Sequence, residues 1–76
     1  LLLELAGRKV TVVGLARSGV AAANLLSRLG AETTVTDIKN EQELGGQIKQ
    51  LSHQVRLSLG GPPEEVFLQA ELIVVS

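Results

Sequence analysis

Apolar residues change their spacing several times along this chain, and each change marks an element. From Val10 to Val13 the run is apolar and mostly β-branched, with Thr11 compatible with the same conformation, and it predicts a strand over Lys9 to Val13 or Gly14. After Gly14 the spacing switches. Ala22, Leu25, Leu26 and Leu29 recur at helical intervals, which predicts a helix from about Ser18 to Leu29 with those four as its apolar stripe. Asn24, Ser27 and Arg28 then fall off the stripe, and Gly30 stands where a helix ends on a left-handed residue. Thr33 to Thr36 is again β-branched throughout and reads as a second, buried strand closed by Asp37.

The second half is weaker in pattern. Asn40 and Glu43 have capping-box spacing, and Leu44, Ile48 and Leu51 follow at helical intervals, although Gly45 and Gly46 weaken that helix. Val55, Leu57 and Leu59 alternate with Arg56 and Ser58, which predicts a strand near a sheet edge. Gly60 and Gly61 form a turn. Pro63 followed by Glu64 and Glu65 signals a short helix to about Gln69, and Leu72 to Val75 forms a fourth strand. Leu1 to Gly7 is a lead-in with room for one helical turn, and Arg8 and Lys9 read as solvated. The order β-α-β-α-β-α-β with short links and right-handed crossovers predicts an α/β fold. It is an open parallel sheet of about four strands with helices on both faces, three αβα layers in one domain over residues 1–76.

Composition narrows the function. A chain of 76 residues buries roughly 60% of its unfolded surface, so its stability is small. Phe67 is the one aromatic residue, so the core must come from Leu, Val, Ile and Ala, which suits a covered parallel sheet. The net charge of −1 with scattered basic residues argues against a nucleic-acid partner. No apolar run approaches the ~20 residues that span a bilayer, so no membrane partner is expected. The absence of cysteine excludes disulfides and thiolate metal sites and fits a cytoplasmic protein. With no initiator Met and a strand as the last element, the chain is expected to be a piece of a longer one, the rest of which packs against it.

Ligands of open parallel sheets bind outside the carboxyl ends of the strands. Here that rim collects Gly14 to Gly19, Asp37 to Lys39, Gly60–Gly61 and Ser76. A strand that feeds a helix through a glycine turn aims main-chain N–H groups and the positive helix end at one point, which attracts phosphate. Gly14-x-Ala16-x-x-Gly19 is nearly the dinucleotide pattern, but Ala16 places a methyl group where the second glycine lets a pyrophosphate approach. Asp37 ends the next strand, within reach of ribose hydroxyls or base N–H groups. These features predict a nucleotide at this rim.

Plainer roles compete for the same residues. Gly14 and Gly19 suit tight turning and close helix–strand packing alone. Arg17 suits a phosphate or plain solvation, and Ser18 a helix cap or a ligand contact. Asp37 also suits a turn cap, and Lys39 a weak surface ion pair with it. His53 has no partner at metal-ligand spacing and reads as a surface residue. Glu64 and Glu65 read as helix-start charges. No nucleophile–base pair, metal cluster or P-loop is present, so the chain is read as holding a ligand without transforming it, with no catalytic residue, metal or cofactor of its own.

The segments GRKVTVVGLARSGVAAANLLSRLGAETTVTD and LGGPPEEVFLQAELIVVS resemble the N-terminal domain of the Mur ligases of bacterial cell-wall synthesis, the D-glutamate-adding MurD branch in particular. The resemblance covers nearly the whole chain. It implies a Rossmann-like domain that binds the uridine-diphosphate part of UDP-N-acetylmuramoyl-L-alanine. It implies a parent enzyme that uses ATP and Mg²⁺ on other domains to activate the substrate carboxylate for attack by D-glutamate. By the same resemblance Gly14, Leu15, Ala16, Arg17, Ser18 and Gly19 face the diphosphate and uracil, Asp37 and Ile38 meet the uracil, and Lys39 stands where a phosphate-directed base is expected. Ser76 begins a turn toward the sugar. Two other readings stay open: an NAD(P)-binding domain of an oxidoreductase or redox sensor, and a ligand-silent structural domain.

Overall fold

Val10, Val12 and Val35 form the centre of the molecule because their strands are neighbours in register. In the computed structural model, which describes residues 4–61 and 64–76, β1 (Lys9–Val13) pairs in parallel with β2 (Glu32–Asp37), setting Val12 beside Val35. β2 pairs with β3 (Arg56–Leu59), and β1 pairs on its other side with β4 (Leu72–Val75). The sheet order is β3-β2-β1-β4, all parallel, so β3 is an edge strand as its alternation predicts. Among the described residues the helices are α1 (Arg17–Arg28), α2 (Gly45–Ile48) and α3 (Glu64–Leu68).

Successive residues of a strand point to opposite faces. One face carries Val10, Val12 and Val35, which pack with Val20, Ala23 and Leu26 of α1 and with Leu44. Each valine or leucine among them contributes about 1.5–3 kcal/mol when fully buried. The other face carries Thr11, whose hydroxyl donates to the Val66 carbonyl of α3 at 2.9 Å. The helices therefore cover both faces, and the expected three-layer order holds. The chain proceeds from β1 outward to β3 and then returns across the sheet to β4. The direction of strand succession reverses between β1 and β4, the usual place for a ligand in such sheets.

α1 differs from its sequence reading. Its buried residues are Gly19, Val20, Ala23, Leu26 and Ser27, while Leu25 and Leu29 are 51% and 50% exposed. The helix thus turns a row of small residues, Gly19, Ala23 and Ser27, toward the sheet. Gly19 packs closely on the Gly14 carbonyl, and of the expected stripe Leu26 is buried beside the small residues. Ser27, expected off the stripe, lies inside it. Its hydroxyl donates to Gln54 Oε1 at 3.4 Å. The C-terminus follows expectation. Gly30 has φ +91°, its N–H donates to Ser27 O, and the Ala31 N–H donates to Leu26 O, the paired bonds of a Schellman ending.

α2 is one turn. The Asn40–Glu43 capping box forms, with the Glu43 N–H on Asn40 Oδ1 (3.0 Å) and the Asn40 N–H on Glu43 Oε1 (3.2 Å), but it closes the turn before the helix. Two adjacent glycines give the short helix no side-chain support. Leu44, Ile48 and Leu51 still reach the core as expected. Asn24 joins the two halves: its Nδ2 donates to Gln50 O and its Oδ1 accepts the Ser52 N–H, both at 2.8 Å. Residues 1–3 of the lead-in and Pro62–Pro63 lie outside the described residues. Arg8, expected to be merely solvated, pairs with Glu71 at 2.8 Å and ties the start of β1 to that of β4. Glu71 also accepts the Lys9 N–H, and these contacts, the Arg8 guanidinium first, hold its carboxyl below its ordinary range.

Candidate functional site

The rim above β1 and β4 is built around one peptide unit, Gly14–Leu15. Gly14 has φ +97°, a conformation that favours glycine, and it turns the chain out of β1. Its N–H donates to Thr36 O at 2.8 Å, and the next N–H, of Leu15, donates to Asp37 Oδ2 at 2.8 Å. The Leu15 side chain points inward and is 1% exposed, so the residue offers the rim its backbone while its side chain serves the core.

Ala16 then takes an extended conformation and caps α1 without a side-chain bond, and no acid stands in the first turn. Ser18, for which a capping role was open, lies inside the helix, one position past its start. Val20 is the first residue whose N–H has a helical partner, Ala16 O at 3.0 Å. The N–H groups of Arg17, Ser18 and Gly19 precede it and leave the helix start as a set of donors for an outside acceptor. Ala16, Arg17 and Ser18 are exposed around that start, and Gly19 is buried beneath it.

Asp37 closes β2 and stays at the rim, half-buried. Beyond its bond to Leu15, its Oδ1 accepts the Lys39 N–H at 2.9 Å. These two main-chain donors, Leu15 first and Lys39 second, hold the carboxyl below the ordinary carboxylate range. The turn-capping role considered for Asp37 is therefore real. Lys39 meets it through the main chain; among the described residues the one salt bridge is Arg8–Glu71. The Gly60 N–H reaches the carbonyls of Asp37 and Lys39, each at 3.0 Å, and docks the 60–61 turn against this corner. Ile38 is 82% exposed and Lys39 is exposed beside it. Ser76 follows β4. Its N–H donates to Val13 O (3.1 Å), and its hydroxyl lies 2.8 Å from Gly14 O and 3.1 Å from Val13 O.

The structure thus brings Gly14, Leu15, Asp37, Lys39 and Ser76 into one bonded set, with Ala16, Arg17 and Ser18 opening beside it. The Ser76–Gly14 link and the Thr36 hydroxyl, buried without a partner, were not legible in the sequence, since neither belongs to a local pattern. A separate cavity of about 230 Å³ lies between α3 and the sheet, lined in part by Lys9, Thr11, Thr34, Arg56 and Glu65. Its strand residues come from the first halves of β1, β2 and β3, so it is separate from the rim. Among the described residues no three His, Cys, Asp or Glu side chains are grouped to hold a metal ion. Nor is any described helix long and apolar enough to cross a membrane.

Comparison with known proteins bears on the same residues. The family model described as Mur ligase MurD-like, N-terminal domain matches residues 8–76. A UDP-N-acetylmuramoylalanine–D-glutamate ligase of Anaeromyxobacter dehalogenans is 52% identical over 73 residues, covering 96% of this chain and 16% of that protein. The protein of the same name from Geotalea daltonii is 48% identical over 75 residues, 97% of this chain and 17% of its own length. That from Bdellovibrio bacteriovorus is 36% identical over 74 residues, 96% and 16%. The chain spans about a sixth of the length of these relatives. A glycine turn clasped between two strand ends, on a sheet of order β3-β2-β1-β4, accords with that match over residues 8–76, and the chain belongs to the MurD-like N-terminal domain family of the Mur ligases.

Proposed function

We propose that this domain holds the uridine-diphosphate end of UDP-N-acetylmuramoyl-L-alanine for an ATP-dependent ligase that adds D-glutamate in peptidoglycan synthesis. The observation that carries the reading is the uncapped start of α1, where no side chain caps the helix and no acid occupies its first turn. A diphosphate supplies the missing acceptors and the charge that the helix end attracts. Arg17 adds a cation at the same turn, and Asp37 and Ile38 offer hydrogen bonding beside an apolar wall, as a uracil ring requires.

In this reading the domain contributes positioning. Binding energy gained at the nucleotide, far from the reacting carboxylate, lowers the entropic cost of aligning that carboxylate. ATP and Mg²⁺ would activate the carboxylate when bound to the ligase. The 76 residues contain no phosphate-binding Gly-Lys-Ser/Thr loop to hold them, so no chemical step is assigned to this chain.

A thermal-shift comparison tests this. UDP at a hundredfold excess over its Kd should stabilise the fold by about 2.7 kcal/mol, while NADH leaves the melting temperature unchanged. A shift with NADH and none with UDP transfers the site to the nicotinamide class, and no shift with either supports the ligand-silent domain. In the same assay Arg17→Ala should weaken UDP about fivefold, a loss typical of an exposed ion pair, and leave uridine nearly unaffected. Equal losses for both ligands would remove Arg17 from the phosphate.

A further inference from the structure

The Gly14–Leu15 peptide is gripped at both ends by side chains from different strands. Its N–H lies 2.8 Å from Asp37 Oδ2, at the end of β2, and its carbonyl oxygen lies 2.8 Å from the Ser76 hydroxyl, just beyond β4. The two gripping residues are 22 and 62 positions away along the chain. The Ser76 oxygen also fills the space above the two glycines. A Cβ on Gly14 would stand 3.0 Å from it, and one on Gly19 3.1 Å.

We propose that Ser76 is a positioning residue of the nucleotide site, which locks the Gly14–Leu15 peptide plane and thereby the direction of the helix-start amides that follow it. The need for a lock comes from Gly14. Glycine crosses between backbone conformations with little steric cost, so a peptide adjoining it can rotate unless both its donor and its acceptor are held. Asp37 holds the donor alone. With the carbonyl released, the plane would swing about that single bond, and Ala16 and the N–H groups of Arg17 and Ser18 would lose their fixed aim. The serine hydroxyl has one proton to donate, and the Val13 and Gly14 carbonyls compete for it. Its part in the site is thus exerted on the turn. The effect on a ligand follows from the turn's geometry. The ligand half of the proposal rests on the uridine-diphosphate reading above; the clamp itself does not.

The test compares Ser76→Ala and Ser76→Thr with the unmodified full chain. Amide hydrogen exchange at Leu15 should quicken about three- to tenfold in Ser76→Ala, as expected from losing one net hydrogen bond, while the Val12 and Val35 amides keep their rates. UDP affinity should fall by a similar factor, uridine affinity should stay within twofold, and Ser76→Thr, which keeps the hydroxyl, should restore both readouts. Unchanged Leu15 exchange in Ser76→Ala overturns the clamp. A parallel rise at Val12 and Val35 also overturns it, by showing a general loosening of the sheet. An unmodified chain that binds no UDP overturns the nucleotide reading instead, and Leu15 exchange then still decides for or against Ser76.

Discussion

Gly19→Ala should lower the melting temperature by 12 °C or more, the largest effect expected of any single methyl group added here. A Cβ at position 19 would overlap the Gly14 carbonyl oxygen and stand 3.1 Å from the carbonyl carbon. The obstacle is backbone that is tied down. Gly14 donates to Thr36 O, its carbonyl receives the Ser76 hydroxyl, and Leu15 is bound to Asp37. Relief therefore requires α1 to lift from the sheet, which opens the contacts of Val20, Ala23 and Leu26 beneath it. Overpacking of this kind costs about 1–3 kcal/mol and sometimes more. With the helix unable to relax in place we expect about 3 kcal/mol. In a domain of this size each kcal/mol moves the melting temperature by roughly 4–8 °C. Gly46→Ala is the matched control. A Cβ there meets nothing within 4 Å, and alanine's better helix propensity should stabilise the fold by about 0.5–1 kcal/mol. A calorimetric or circular-dichroism melt of both variants decides; if Gly19→Ala melts within 3 °C of the parent, the close contact between α1 and β1 is wrong.

The second expectation concerns Asp37 and acid. Its carboxyl is held below the ordinary range by the Leu15 and Lys39 N–H groups. Its contribution to stability is therefore complete above the unfolded value of about 3.9 and disappears as pH falls through the lower folded value. Asn in its place has no charge to lose. It also offers one acceptor oxygen where two N–H groups need one each, so its own amide nitrogen faces a donor. At pH 7 Asp37→Asn should be less stable by about 1 kcal/mol and bind UDP roughly tenfold more weakly. Below about pH 4 the stability gap between the two proteins should begin to narrow, and it should go on shrinking as pH falls through the lower folded value. Glu71 is also held below its ordinary range, but it titrates in both proteins and cancels from the difference. Denaturant melts at pH 7 and pH 3 give the answer. A gap that is the same at both pH values would mean that the ionised carboxylate does not clasp the turn.

Asp37 also shows how far the sequence could be read. Its place at the end of a β-branched run put it at the rim, Gly14 and Gly30 were placed by the ends of their runs, and Gly19 by motif spacing. Those inferences used only residues a few positions apart. The stripe of α1 held at Leu26, which is buried, and missed at Leu25 and Leu29, which are exposed. Leu25 and Leu29 are larger and more apolar than Ala23 or Ser27, so a count of hydrophobicity favours them. The helix buries its small residues beside Leu26, with Gly19 packed on the Gly14 carbonyl. Arg8 and Glu71 carried no local signal at all, since 63 positions separate them.

The amino-acid order alone determined the succession of strands and helices, the edge position of β3, the gathering of Gly14, Asp37 and Ser76 at one rim, and the family resemblance. Each of these follows from short-range steric preference, periodicity or motif spacing. Only the tertiary structure decided which side of α1 is buried, that Asp37 spends its carboxylate on the turn, and that Ser76 completes the grip on Gly14. Those depend on the lateral register of β1 with β2 and β4, which brings together residues that no local pattern connects.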